Sequence, residues 1–180
     1  MINNQYMVSP QQSKTKPRPE DLIPQLLPAE QQVNATDFID WLRENKLSPK
    51  WNATNKYRVD CKGKLICYVT LFPLSQAIWW QTISPDVYSN SWEIWINIHE
   101  HDCYANCDDS LRETAWKNVN ICKNCKTCYH GIISRTICGK EFSRICHYGG
   151  GITIRCPDTK TLENAKKLLL MNKEAIVGAK

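Results

Sequence analysis

The sequence predicts an α+β protein, with an antiparallel sheet of about four to six strands flanked by helices and a cysteine-rich loop inserted late in the chain. Three observations predict it. Apolar residues recur with period two between Tyr57 and Ile98. On either side of that stretch the apolar period lengthens to that of a helix. Finally, the cysteines crowd into the second half of the chain, most tightly from Cys122 to Cys128.

In chain order, residues 1–35 read as a disordered or extended tail. They hold five of the nine prolines and no glycine, and Lys14-Thr15-Lys16-Pro17-Arg18-Pro19 has the composition of a solvated linker. The short apolar piece from Leu22 to Leu27 is expected to dock on the chain's own domain. That domain is expected to be single and to span residues 36–178. It opens with a helix capped by Thr36, whose early aspartates suit the positive end of the helix dipole, and which ends near Lys46 before Pro49.

Tyr57–Cys61 and Leu65–Leu71 then flank Lys62-Gly63-Lys64, a hairpin signal. Ala77–Ile83 reads as a third strand. Ser91–Ile98 reads as a fourth, with Trp92, Ile94, Ile96 and Ile98 on one face. Asp109–Val119 is a short helix with Leu111, Ala115 and Val119 on one stripe. Ser134–Ile137 and Gly151–Arg155 are short strands. Asp158 caps a closing helix that buries Leu162, Ala165, Leu169 and Ile176.

The chain has 180 residues, 23% of them charged, and no apolar run long enough to cross a membrane as a helix. Its start, Met1-Ile2-Asn3-Asn4-Gln5, has no basic region and no apolar segment after it, so the expected location is cytoplasmic. In a reducing compartment clustered cysteines point to metal or redox chemistry rather than disulfides. The formal charge of +5 is unevenly spread. Residues 99–113 carry five acidic side chains against one basic. Residues 117–160 carry eight basic against two acidic, a stretch that could attract an anionic partner.

Cys122-Lys123-Asn124-Cys125-Lys126-Thr127-Cys128 is C-x2-C-x2-C, and Cys146 follows eighteen residues later. A C-x2-C turn can present two thiolates to one ion at ~2.3 Å, and a returning segment can close a tetrahedral site. Lys123 and Lys126 favour the thiolate forms. Cys122, Cys125, Cys128 and Cys146 are therefore the expected metal ligands, forming a zinc loop over residues 122–146. Cys138, His147 and Cys156 stand in reserve. An iron–sulfur cluster is the alternative occupant, but the bacterial ferredoxin run C-x2-C-x2-C-x3-C-P would need a cysteine where this chain has Ile132. A second candidate group is His99, His101, Cys103 and Cys107, of which the first three would share a face if the strand from Ser91 continued.

A site with four thiolate ligands has no open position for a catalytic water, which makes it structural. The chain also lacks H-E-x-x-H, a P-loop, G-x-G-x-x-G and G-x-S-x-G. Trp79 and Trp80 point to opposite faces of one predicted strand, as Trp92 and Trp95 do in another. One of each pair is expected in the core, and the other is a candidate to line a ligand groove.

Tyr57 with Lys62-Gly63-Lys64, Ser91-Trp92, Cys122-x2-Cys125, Gly139-Lys140-Glu141-Phe142, Cys146 and Pro157-Asp158 together resemble an uncharacterised family of short cysteine-containing α+β proteins from anaerobic Gram-positive bacteria. The likeness covers about residues 36–175. It implies no activity. It favours Cys122, Cys125 and Cys146 as the centre of the site, and leaves Cys61, Cys67, Cys138 and Cys156 as ordinary small buried residues.

The resulting expectation is a zinc-stabilised binding module that recognises a small molecule or a protein partner without catalysis. Two alternatives are a thiol or iron–sulfur redox protein, and a nucleic-acid-binding module using residues 117–160. No membrane partner is expected.

Overall fold

The structure, a computed structural model, describes residues 9–72, 90–98, 104, 107–122, 131–146 and 150–178. Among these the helices are α1 (Ser9–Thr15), α2 (Pro19–Leu26), α3 (Ala29–Glu44), α4 (Asp109–Lys117) and α5 (Thr159–Gly178). The strands are β1 (Lys50–Ala53), β2 (Lys56–Cys61), β3 (Lys64–Phe72), β4 (Ser91–Asn97), β5 (Ile132–Ile137), β6 (Lys140–Cys146) and β7 (Gly151–Arg155). They form a five-stranded antiparallel sheet in the order β1-β2-β3-β4-β7 and a two-stranded sheet of β5 and β6. The α+β class and the antiparallel sheet are as the period-two pattern predicts. No helix among the described residues is long and apolar enough to cross a membrane.

The chain divides into two compact units: Met1–Val59 with Tyr68–Glu93, and Asp60–Cys67 with Ile94–Lys180. In the first unit, residues 9–15, 19–26 and 29–35 are helical, which departs from the extended tail expected of residues 1–35. The reason is spacing. Leu22, Ile23, Leu26 and Leu27 repeat at i, i+1, i+4 and i+5, and all four are buried. Composition hid this amphipathic stripe, because the flanking prolines sit where a helix tolerates them. Pro19 occupies the first helical position and Pro28 the N-cap of α3, two places where the missing N–H costs no intrahelical bond. Thr36, expected as that cap, lies exposed inside α3, whose buried stripe is Ala35, Phe38, Ile39 and Leu42.

Helix α1 is held by a reciprocal amide pair. Gln12 Nε2 donates to Asn55 Oδ1 at 2.7 Å, and Asn55 N–H donates to Gln12 Oε1 at 2.9 Å. Asn55 has a left-handed backbone (φ 55°) in the β1–β2 turn, a conformation asparagine tolerates better than most residues. Arg43 of α3 donates to Glu20 of α2 at 2.5 Å. Phe38 packs against Trp92 with ring centroids 5.9 Å apart.

In the second unit, Lys62-Gly63 makes the tight β2–β3 turn with both residues at positive φ, as the hairpin signal predicts. Side-chain amides stitch the unit together: Asn172 of α5 donates to the Asn97 carbonyl at 2.8 Å, and Asn97 donates to the Leu65 carbonyl at 3.1 Å. Lys62 caps the last turn of α5 by donating to the Val177 carbonyl at 3.2 Å, a favourable place for a cation. Gly151 is needed for close approach, since a Cβ there would lie 2.6 Å from the Ile96 carbonyl oxygen and the Trp95 ring. Strand β6 was not predicted. Its alternation is weak because only Ile145 is fully buried on it. The strand expected at Ala77–Ile83 lies outside the described residues.

Candidate functional site

After α4 the chain runs first beside β7 and then beside β6. Thr153 N–H donates to the Asn118 carbonyl at 2.8 Å, Asn120 N–H to the Gly151 carbonyl at 2.9 Å, and Val119 bridges Ile152. One step further, Ile121 bridges Ile145 in antiparallel fashion, and Cys122 N–H donates to the Arg144 carbonyl at 2.6 Å. Residues opposite each other on an antiparallel ladder share a face, and so do residues two apart on one strand. The backbone of Cys122 therefore lies opposite Arg144 and diagonally across from Cys146. Such diagonal neighbours stand about 7–8 Å apart at Cα. Cys122 is buried and Cys146 half-buried at the end of β6.

Of the four expected ligands, this local pairing brings together the first and the last. Cys125 and Cys128 lie outside the described residues, as do the reserve His147 and the second-site candidates His99, His101 and Cys103. Among the described residues no group of three or more histidine, cysteine, aspartate or glutamate side chains could hold a metal.

Two cysteines depart from expectation. Cys138, a reserve ligand, and Cys107, a member of the second candidate group, are joined in a disulfide with Cα atoms 5.5 Å apart. The expectation of metal or thiol chemistry instead of disulfides fails for this pair. The cause is topological: Cys138 lies in the Cys138-Gly139 turn between β5 and β6, both residues at positive φ, and that turn meets the N-terminal end of α4 beside the cap Asp108. The partners are 31 residues apart, so no spacing motif announces them. The same hairpin is tied to α4 twice more. Trp116 Nε1–H donates to the Ile137 carbonyl at 2.7 Å, and Lys140 stands over the Trp116 ring at 5.3 Å.

Cys61 and Cys67 are core residues. Burial pushes the Cys67 thiol far above its ordinary value, and the nearby Asp60 charge adds to the effect. It is a small buried side chain and not a thiolate. Trp92 is only 1% exposed and belongs to the core, so it lines no groove. Trp95, on the other face of β4, is half-buried against Gly151. Trp79 and Trp80 lie outside the described residues.

The basic stretch is split among several places. Lys140 is engaged with the Trp116 and Phe142 rings. Lys117, Arg155 and Lys160 gather at one groove beside α5, while Lys123 and Lys126 are outside the described residues. No family model, no curated protein and no solved structure matches this chain.

Proposed function

We propose that this chain is a non-catalytic binding module, stabilised by a zinc ion held by Cys122, Cys125, Cys128 and Cys146, that recognises a small molecule or a protein partner. The observation that supports the zinc is the Ile121–Ile145 bridge, which brings the backbone of Cys122 diagonally beside that of Cys146 although 24 positions separate them. Two cysteine side chains and two Zn–S bonds of ~2.3 Å are long enough to close that diagonal around one ion. The C-x2-C-x2-C run leaves the same backbone at Cys122 and supplies the other two thiolates. Binding energy at such a site is folding energy, because the unfolded chain has no preformed site.

Metal analysis of the full chain purified without oxygen tests the reading. The expected result is about one zinc per chain in a colourless protein. Cys125→Ser should lower both the metal content and the melting temperature. A brown protein with iron and matching sulfide would replace this reading with a redox one, and an unchanged melting temperature in the variant would remove zinc as a structural element.

The Cys107–Cys138 bond favours a second reading, a thiol redox protein. In that case the disulfide accepts two electrons and two protons from an external dithiol, leaving two thiols here and a disulfide on the donor. Equilibration in dithiol buffers separates the two readings. A structural bond resists reduction down to about −300 mV, while an exchanging one titrates well above that.

A further inference from the structure

A groove of about 490 Å³ lies between α4, the end of β7 and the first turn of α5. That volume falls within the ~300–1,000 Å³ typical of small-ligand sites. Its lining is polar where such sites are usually apolar, and its donors come from three directions. Lys117 projects from the last turn of α4, Arg155 from the end of β7 and Lys160 from the first turn of α5. Behind them sits Asn164, buried on α5 at 4% exposure.

Asn164 sets the polarity of the groove floor. Its Nδ2 donates to Ser110 Oγ at 3.0 Å and to Thr114 Oγ1 at 2.8 Å. Each hydroxyl accepts that bond and so keeps its own proton to donate elsewhere. Two carboxylates oppose the three cations. One of them, Asp158, is committed to the helix: it accepts from Thr161 N–H at 2.7 Å. The Thr161 hydroxyl first, then that N–H bond, with the charges of Lys160 and Lys117 adding to them, hold its carboxyl below the usual range. Glu113 is exposed on α4.

We infer that this groove binds a small phosphate-bearing anion, a phosphate ester or diphosphate, between Lys117, Arg155 and Lys160. Two ammonium groups on α4 and α5, one guanidinium on β7 and the α4 hydroxyls, coming from three directions, suit the tetrahedrally arranged oxygens of a phosphoryl group. A planar carboxylate, with two oxygens in one plane, would leave part of that set unmatched. None of the three elements carries a proposed zinc ligand, so this site and the zinc stand or fall separately.

Calorimetric titration of the full chain with inorganic pyrophosphate tests the inference. One site is expected, weakening as salt is raised. Lys117→Gln with Arg155→Gln should weaken binding by about tenfold or more, through the loss of charge-assisted bonds. Glu113→Gln should tighten it by removing a like charge, and a merely structural role would not give opposite signs. Citrate should bind more weakly. If the double variant does not fold, amide shifts of the unaltered chain during the same titration give an independent reading, and they should cluster at residues 110–118 and 154–164. Absent binding, binding indifferent to both sets of substitutions, citrate as tight as pyrophosphate, or shifts centred elsewhere would each overturn the assignment.

Discussion

Phe38 and Trp92 meet at 5.9 Å inside the first unit, while Cys107 and Cys138 are covalently joined inside the second. The contrast extends through both. The first unit rests on stripes of apolar side chains: Leu22, Ile23 and Leu26 on α2 with Leu27 just after it, and Ala35, Phe38, Ile39 and Leu42 on α3. The first unit adds the Gln12–Asn55 amide pair and the Arg43–Glu20 pair, while the second buries a comparable stripe on α5 and adds a covalent link and several directional bonds. These are a disulfide, an indole-to-carbonyl bond, the Asn172–Asn97–Leu65 amide chain and the Asn164 hub. Apolar burial is non-directional and degrades smoothly when a side chain is trimmed. Linkages of the second kind are lost one at a time, and losing one of the hydrogen-bonded ones leaves a polar group unpaired.

The difference can be broken most strongly at Phe38. This side chain is fully buried, and Phe38→Ala should cost about 3–5 kcal/mol through lost transfer energy and the cavity left behind. Hydrogen exchange should show the loss in the first unit, with α2 and α3 opening earlier. A melting temperature within a degree or two of the unaltered chain would mean that Phe38 and Trp92 do not anchor that core.

A smaller effect is expected at the disulfide. Cys107→Ser with Cys138→Ser frees a loop whose ends are 31 residues apart, which the chain-entropy model values at about 3–4 kcal/mol. Amide protection should fall first in β5 and β6, with α2 and α3 little changed. Equal loss in both units would contradict the division drawn here. The Trp116–Ile137 and Lys140–Trp116 contacts should then hold the hairpin in a weakened form.

The smallest effect lies at the Arg43–Glu20 pair. Burial alone would push the Glu20 carboxyl up, but the Arg43 hydrogen bond, its own backbone and the Arg43 and Arg18 charges outweigh it and hold the group below its ordinary 4.5. A lowered folded-state value stabilises above the ordinary value, and that contribution fades as pH falls through the folded-state value. Both side chains are about one-third exposed, so Glu20→Gln should cost no more than about 1 kcal/mol at pH 7. Melts of the two proteins should converge as acid is added. A gap that widened in acid would reverse the sign.

How much of this was legible in the sequence follows the same division. Period-two alternation exposed β2, β3 and β4, and Trp92, Ile94 and Ile96 are buried on the predicted face. The Asp158 cap and the stripe of α5 were equally plain. The tail was misread because proline count outweighed spacing, although Leu22, Ile23, Leu26 and Leu27 already held the helical period. Other features had no local signature. Cys107 finds Cys138, and Lys117 finds Arg155 and Lys160, only after the hairpin and α5 have folded back. Cysteine spacing suggested the Cys122–Cys146 partnership, but the stitching of residues 118–122 first to β7 and then to β6 could not have been read from it.

The most direct test of the central claim reads the thiols one by one. The full chain, purified without oxygen, is treated with an alkylating reagent with and without a strong zinc chelator, and each cysteine is scored by peptide mass mapping. Cys122, Cys125, Cys128 and Cys146 should become reactive together on chelation. Cys61 and Cys67 should remain protected by burial, and Cys107 and Cys138 should need a reductant. A chelator that leaves the first four unchanged, or releases Cys122 without Cys146, would contradict a shared zinc site.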